Sequence, residues 1–165
     1  MRCDRTLMKI STGRSSRRRG ATIVEMAIVL SITFTLIFAI YDYCRYFMLS
    51  QLVNNAAREG ARQAVATTNT QSTSTIQNTV ITYLAGQSLK NTSGTTLKAS
   101  DVTVQQVNPV TGVATSPDSN WYDAAFGSSI MVQVNARFTP FFPSLGFLPT
   151  SVPLQGTAIM SSEAN

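Results

Sequence analysis

The sequence predicts an α+β protein in which a long N-terminal transmembrane α-helix extends into a small external domain. In that domain, a helix is expected to pack on an antiparallel sheet of three to four strands. Two observations lead to this prediction. An apolar run of twenty residues follows a cluster of arginines, and the C-terminal half alternates valine-rich segments with turn-forming residues. Such a run is typical of a membrane helix, and the alternation is typical of half-buried strands.

Positive charge is concentrated in the first twenty residues. Residues 1–20 contain seven basic residues and one acidic residue, a net charge of +6, whereas residues 21–165 contain six basic and seven acidic residues, a net charge of −1. A nucleic-acid-binding domain carries basic charge on its folded surface, so this distribution argues against one. We interpret residues 1–20 as a basic cytoplasmic leader, in accord with the positive-inside rule. The alternative is a disordered basic tail without a specific role.

The apolar run at residues 21–40 predicts one membrane span of about residues 21–43. Twenty helical residues at about 1.5 Å each extend roughly 30 Å, the thickness of the hydrocarbon core of a bilayer. Hydroxyl groups in such a helix can bond to the carbonyl one turn earlier. Three tyrosines and a phenylalanine follow between residues 41 and 47, and they predict an aromatic belt at the outer interface. The basic flank that precedes the span predicts a cytoplasmic N-terminus.

A possible cleavage point lies before the apolar segment, whereas ordinary secretory signals are cut after theirs. It is the order Arg17-Arg18-Arg19-Gly20-Ala21, followed by Glu25. Cleavage after Gly20 would create an α-ammonium at Ala21. Glu25 of a neighbouring subunit could pair with it, because a carboxylate within a span usually has a partner. The alternative is that Glu25 extends to the membrane interface and has no such role.

The helix is predicted to continue beyond the membrane to residue 66, since no proline occurs between Ala21 and Thr67. Small and apolar residues repeat there at the i, i+3, i+4, i+7 spacing of one helix face. This small-residue stripe consists of Leu49, Leu52, Val53, Ala56, Ala57, Gly60, Ala61 and Ala64. Small side chains allow another backbone to approach closely. Two interpretations are open: the stripe packs on the external domain of the same chain, or it packs between subunits.

These residues resemble a known family. The Arg-Gly-Ala junction, with glutamate at the fifth position when Ala21 is counted as the first, is similar to a prepilin-peptidase site of the type IV pilin superfamily. The stretch Asp42-Tyr43-Cys44-Arg45, followed by Asn55-Ala56-Ala57-Arg58-Glu59-Gly60-Ala61-Arg62, resembles the TadE-like family of the tight-adherence (Flp) pilus machinery. The resemblance covers residues 17–66. The family usually has glycine where this chain has Cys44. The cysteine removes a close-packing position, and the processing motif is unchanged.

The resemblance implies a minor pilin or pseudopilin that takes part in assembly of a tight-adherence pilus or of the related secretion machinery. It implies cleavage between Gly20 and Ala21 by a prepilin peptidase, with Glu25 needed for recognition or for registration of subunits. The implied partners are that peptidase, other pilin subunits through the hydrophobic helix, and inner-membrane pilus assembly proteins. The implied location is the bacterial inner membrane, single-pass, with a periplasmic or extracellular C-terminal domain.

The positions that match the family motif are Asp42, Arg45, Asn55, Arg58, Glu59, Gly60 and Arg62. The role of Arg58, Glu59 and Arg62 does not follow from their spacing. Because Glu59 and Arg62 are three residues apart on a predicted helix, however, we expect them to form a surface pair.

Residues 67–165 predict one small external domain. Residues 67–75 are typical of a linker, and residues 76–89 are typical of a helix that Gly86 weakens near its end. Alternating residues predict strands at 102–107 and 130–136, with a last edge strand at 154–160. The core is predicted to contain Val102, Val104, Trp121, Phe126, Ile130, Val132, Val134 and Phe138.

The segment at residues 138–153 is rich in proline and aromatic residues and is too broken for a central strand. Its large apolar side chains are either a cover for the core or an exposed binding patch. They are Phe141, Phe142, Leu145, Phe147 and Leu148. Both interpretations are open from the sequence.

No catalytic, cofactor-binding or metal-binding role is predicted. The sequence has no histidine, which excludes Ser-His-Asp and Cys-His chemistry and most zinc sites. Asp118 and Asp123 lack the alternating ligands of a calcium loop. Two alternatives to a pilin are a single-span anchor that presents a surface- or ligand-binding module, and a secreted protein. The second is disfavoured because no A-x-A-like site follows the span.

Overall fold

The computed structural model describes residues 16–66, 72–115, 121–141 and 150–162, with side chains of the first range described from Gly20 onward. It contains a long helix, a second helix and a three-stranded antiparallel sheet, which confirms the predicted α+β class. The helices and strands are α1 (Ser16–Ala66), α2 (Thr73–Leu84), β1 (Val102–Val107), β2 (Ser129–Phe138) and β3 (Val152–Ser161).

The chain divides into two compact units, Met1–Ile40 and Tyr41–Asn165. In the first unit, the side chains of residues 20–40 are exposed, apart from the half-buried Thr35. This part of α1 is therefore an apolar helix surface that no described residue covers, as expected for a helix whose solvent is lipid.

Polar side chains within the apolar run bond to the helix backbone. The hydroxyls of Ser31, Thr33 and Thr35 each donate a hydrogen bond of 2.8 Å to the carbonyl oxygen four residues earlier. These bonds confirm the expectation from the sequence. They also remove the cost of placing hydroxyl groups in a hydrocarbon environment.

The sheet of the second unit has the order β1-β2-β3, with antiparallel neighbours throughout. Val104 pairs with Val132, which in turn pairs with Ala158, so the even-numbered residues of all three strands share one face. That face carries five buried residues of the central strand, which are Ile130, Val132, Val134, Ala136 and Phe138. The edge strand predicted at residues 154–160 corresponds to β3.

The small-residue stripe of α1 packs on this apolar face of the sheet. Its members Leu49, Val53, Ala56, Ala57, Ala61 and Ala64 are 0–1% exposed. Most of them form one cluster with Val132 and Val134 of β2, with Leu154 of β3, and with Val80 of α2. The interpretation that the stripe packs on the chain's own domain is therefore confirmed, and this face of α1 is already covered within the subunit.

Two glycines allow α1 to lie close to its neighbours. A Cβ atom at Gly156 of β3 would lie 2.6 Å from the backbone oxygen of Val53 in α1. A Cβ atom at Gly60 of α1 would lie 2.6 Å from a methyl group of Val80 and 3.3 Å from one of Val132. Each glycine thus lies where a backbone approaches a neighbouring element too closely for any side chain.

Trp121 organises a second apolar cluster beside Ala64, Ile76 and Ile130. It is 1% exposed, and its indole N–H donates a hydrogen bond of 2.8 Å to the hydroxyl of Thr73. The bond satisfies the one polar group of a buried ring. Because Thr73 is the first residue of α2, this contact fixes the start of that helix against the core.

The structure corrects three details of the sequence interpretation. Phe126 is 71% exposed and lies outside the core, because it directly precedes Gly127, whose φ of +80° belongs to a turn. Val104 packs against both buried clusters, as predicted, but is only half-buried. The helix predicted at residues 76–89 begins earlier and ends at Leu84, ahead of Gly86 with a φ of +81°, a left-handed conformation that does not continue a helix.

Some predictions concern residues outside the described ranges. Most of the linker, the residues Phe142, Leu145, Phe147 and Leu148, and Asp118 all belong to this group. Of the aromatic segment after β2, Phe141 is described, and it is 66% exposed. At this position the side chain does not cover the core.

Candidate functional site

The predicted processing junction lies within α1. Gly20, Ala21 and Glu25 are all exposed. A Cβ atom at Gly20 would meet no heavy atom within 4 Å outside the adjacent backbone. A larger residue is therefore sterically tolerated there, and the fold of the second unit gives no packing reason for glycine at this position.

Asp42 connects α1 to the chain that leaves β2. Its side chain is buried, with 6% exposed, and its carboxylate accepts a hydrogen bond of 3.1 Å from the backbone N–H of Phe141. A charged acceptor makes this bond stronger than a bond between neutral groups. Asp42 thus holds a segment that lies 99 residues further along the chain.

Arg45 and Tyr46 hold the end of the same strand. The Arg45 guanidinium lies 5.7 Å from the centre of the Phe138 ring, a cation–π contact. The Tyr46 ring packs edge-to-face on Phe138 with a centre-to-centre distance of 5.9 Å. We call Asp42, Arg45 and Tyr46 the base cluster, because together they fasten the last residues of β2 to the start of the second unit.

The second part of the motif forms a polar stripe on the outward side of α1. At about 100° per residue, Asn55, Arg58, Glu59 and Arg62 fall within roughly 100° of the helix circumference. All four are exposed or half-buried, whereas Gly60 between them is turned to the core. We call these four residues the outer stripe.

Glu59 and Arg62 form the pair predicted from their spacing. The guanidinium donates two hydrogen bonds, of 2.7 and 3.1 Å, to the two carboxylate oxygens. The hydrogen bonds from Arg62 lower the pKa of Glu59, and the same bonds raise the pKa of Arg62. Because the Arg62 side chain is 74% exposed, water screens the pair, and it adds little to folding stability.

The structure separates the motif residues into two sites with different surroundings. Asn55 comes ten residues after Arg45 on the helix, a distance of about 15 Å along its axis. Asp42 and Arg45 make contacts within the domain, to Phe141 and Phe138. Gly60 is a packing position, and the outer stripe lies on the side of α1 that faces away from the domain. Cys44 is a free, exposed thiol.

Sequence reasoning missed the partners of the base cluster. Phe138 was predicted in the core, but no residue near it in the sequence indicates a contact with Arg45. Gly156, within an otherwise ordinary strand pattern, is the one signal that marks a close approach of two backbones. Within the described ranges, no group of three or more histidine, cysteine, aspartate or glutamate side chains could hold a metal ion.

One testable consequence concerns Asp42. Asp42→Ala leaves the Phe141 amide without its charged acceptor, and we expect a loss of about 1.5–3 kcal/mol in the free energy of unfolding. Hydrogen exchange at the Phe141 amide is expected to be faster in Asp42→Ala than in the unmodified chain. Asp42→Asn retains an acceptor oxygen, and its exchange rate at Phe141 is expected to lie between those of the unmodified chain and Asp42→Ala. Asn55→Ala, an exposed position on the same helix, serves as the control. Unchanged exchange at Phe141 in Asp42→Ala would contradict this role.

The fold and the exposed apolar helix indicate a class of protein: membrane-anchored, with a small α+β domain. By length and composition, one described helix, with its apolar part starting at Gly20, qualifies as a membrane span. The family model for TadE-like proteins matches residues 20–62, a range that contains the junction, the base cluster and the outer stripe. The predicted TadE-like resemblance is therefore confirmed over this range. Comparisons with curated proteins and with solved structures gave no match.

Proposed function

We propose that the chain is a minor pilin or pseudopilin of a tight-adherence (Flp) pilus system or of the related secretion machinery. It is inserted in the bacterial inner membrane with residues 1–20 in the cytoplasm and the second unit outside. A prepilin peptidase removes the leader between Gly20 and Ala21. The mature subunit then joins other pilin subunits and inner-membrane assembly proteins.

The observation that carries this proposal is the TadE-like match over residues 20–62, because that family is associated with the Tad pilus. Two further observations agree with it. The basic charge is concentrated ahead of the apolar helix, in the arrangement that orients a span. The exposed face of residues 20–40 leaves an apolar surface free for contact with lipid or with other helices.

Contacts between subunits have to use other surfaces than the small-residue stripe, since the sheet covers that stripe. The exposed apolar helix is one such surface, and Glu25 lies on it. In the proposed assembly, this carboxylate pairs with the α-ammonium that cleavage creates at Ala21 of a neighbour. The pairing offsets the cost of a charge close to the hydrocarbon region.

N-terminal sequencing of the protein isolated from membranes tests the proposal directly. A mature chain that starts at Ala21 supports the pilin function. A chain that starts at Met1 supports the alternative of a single-span anchor that presents a binding module. A start beyond residue 40 indicates a secreted protein and contradicts both.

Gly20→Phe is expected to block processing and leave the longer chain with its basic leader. The physical basis is that the substitution meets no packing obstacle in the fold, so a block in processing is not explained by misfolding. The fluorescence of the single, buried Trp121 should stay unchanged and serves as the control for folding. Normal processing of Gly20→Phe would count heavily against the pilin function.

A further inference from the structure

β3 is an edge strand of the sheet, and its outer side carries backbone groups without a partner among the described residues. We infer that this edge is a docking site for an extended, uncharged segment of another protein, which adds to the sheet as a fourth, antiparallel strand. Strand addition of this kind takes its affinity from backbone hydrogen bonds and its specificity from alternate side chains. The inference concerns the second unit and goes beyond the proposed function, which assigns no contact to the sheet.

The hydrogen bonds of β2 show which residues of β3 point outward. Arg137 of β2 exchanges two backbone hydrogen bonds, of 2.7 and 3.1 Å, with Lys90. Lys90 lies on the β1 side of β2, because β3 pairs along the whole of the other side. Successive residues of an antiparallel strand direct their N–H and C=O groups to opposite neighbours. The odd-numbered residues of β2 therefore bond towards β1, and the even-numbered ones bond towards β3.

The even-numbered residues of β3 bond to β2, because Val132 is paired with Ala158. Ser162, directly after β3, follows the same rule, and its N–H donates a hydrogen bond of 2.7 Å to the carbonyl oxygen of Ser128. The odd-numbered residues of β3 therefore direct their backbone groups away from the sheet, and all of them are exposed. They are Pro153, Gln155, Thr157, Ile159 and Ser161.

The opposite edge of the sheet is covered by the chain itself. In β1, the outward carbonyl of Val102 accepts a hydrogen bond of 2.8 Å from the side chain of Gln77 in α2. The carbonyl of Gln106 accepts one of 3.1 Å from the N–H of Thr115, in the segment that returns beside β1. Strand addition is therefore obstructed at β1 and open at β3.

β3 lacks the features that usually protect a free edge, which are lysine, proline and β-bulges. From Leu154 to Ser161, the strand contains no charged residue and no proline, and its register with β2 is continuous. Pro153 lies near the start of the strand, at an outward position where no bond to β2 needs its N–H. Residues 154–161 are thus open to pairing along their whole length.

A groove beside this edge indicates the side chains that suit an added strand. It has a volume of about 540 Å³ and lies between the end of α1 and β3. Its lining consists of Arg62, Val65, Ala66, Ile159, Met160 and Ser161. Because three of these are consecutive in β3, the groove follows the edge of the strand. An apolar side chain opposite Met160 would enter it, so we expect the added segment to alternate as β2 does, with apolar residues on the side of α1.

Another protein is favoured over a second copy of the chain. Two copies would have to pair β3 with β3, because their own chain covers the β1 edge. Such an antiparallel pair has a two-fold axis perpendicular to the sheet, which reverses the helix that packs on the sheet. Two chains anchored in one membrane by their α1 helices do not meet in this way. This step alone rests on the proposed function.

Hydrogen exchange of the full chain in detergent micelles, followed by NMR, tests whether the edge is free. The amides of Gln155, Thr157 and Ile159 are expected to exchange faster than those of Gly156 and Ala158, which bond to β2 and serve as controls within the same strand. Equal protection of all five amides at every protein concentration would show that the chain covers its own edge, and it would overturn the inference. Protection at the odd-numbered amides that grows with protein concentration would indicate a second copy and overturn the assignment to another protein.

The probe for strand addition is a synthetic peptide of residues 129–136, the uncharged part of β2. Fluorescence anisotropy of a dye on the peptide measures how much of the protein is occupied. At an occupancy of about nine-tenths, exchange at Gln155, Thr157 and Ile159 should slow about tenfold, because only the free fraction exchanges. A peptide that does not bind, or that binds without this slowing, would overturn the inference.

Two N-methylated forms of the peptide are the matched controls. In the added strand, the N–H groups of Met131 and Gln133 point to β3, and those of Val132 and Val134 point away. Methylation of the first pair should abolish binding, and methylation of the second pair should leave it unchanged. Loss of binding in both forms would indicate that the peptide replaces β2, and binding of both would indicate a contact through side chains; either result overturns the inference. Cleavage after Gly20 is measured separately by N-terminal sequencing, so none of these outcomes decides the proposed function.

Discussion

Gly156→Ala is expected to lower the free energy of unfolding by about 3 kcal/mol, at the upper end of the cost of overfilling a packed interior. The added Cβ would lie 2.6 Å from the carbonyl oxygen of Val53 and 2.8 Å from its carbonyl carbon. Backbone atoms of a helix cannot turn aside as a flexible side chain can. Relief therefore requires β3 to move away from α1, which opens the packing around Val53.

Denaturant unfolding of the full chain in detergent measures this effect, with the single buried Trp121 as the fluorescent probe. Ser161→Thr adds one methyl group to an exposed position of the same strand and is the matched control, expected within about 0.5 kcal/mol of the unmodified chain. Equal stability of Gly156→Ala and Ser161→Thr would show that α1 and β3 are not in close contact.

Gly60→Leu is the second change with a large expected effect, also about 3 kcal/mol. The first added carbon would lie 2.6 Å from a methyl group of Val80 and 3.3 Å from one of Val132. Both neighbours are β-branched, so their side chains have few alternative rotamers. The remaining atoms of leucine would then separate α1 from α2 and from the sheet.

Arg58→Leu is the matched control for Gly60→Leu, because Arg58 is exposed on the same helix and receives the same side chain. The double change Gly60→Ala with Val80→Ala should lose less stability than the sum of the two single changes, since the smaller partner makes room. If Gly60→Leu and Arg58→Leu have the same stability, the glycine of the motif is not a packing position.

Gly60 and Gly156, and not the exposed Glu59–Arg62 pair, are therefore expected to matter for folding stability. Gly60 lies between Glu59 and Ala61, and the structure turns it to the core while Glu59 pairs with Arg62 on the surface. Loss of Gly60 should therefore impair the fold of the second unit without changing the junction at Gly20, forty residues earlier. A variant that is processed but unstable would separate the two roles within the family motif.

The sequence by itself determined the elements that depend on local pattern. A run of apolar residues at 21–40, an i, i+3, i+4 stripe of small residues and alternating valines each report the period of one helix or strand. The Glu59–Arg62 pair needed only the three-residue spacing of a helix. The basic leader and the junction at Gly20 are predicted from residue order alone and stay predictions.

Only the tertiary structure decided which surfaces meet. The small-residue stripe fits equally well against another subunit or against its own sheet, and the sheet register determines that Gly156 faces Val53. Asp42 could not be assigned from sequence because its partner, Phe141, is 99 residues away. A local pattern fixes the face that a residue occupies, but contacts across that distance depend on how the helix crosses the strands.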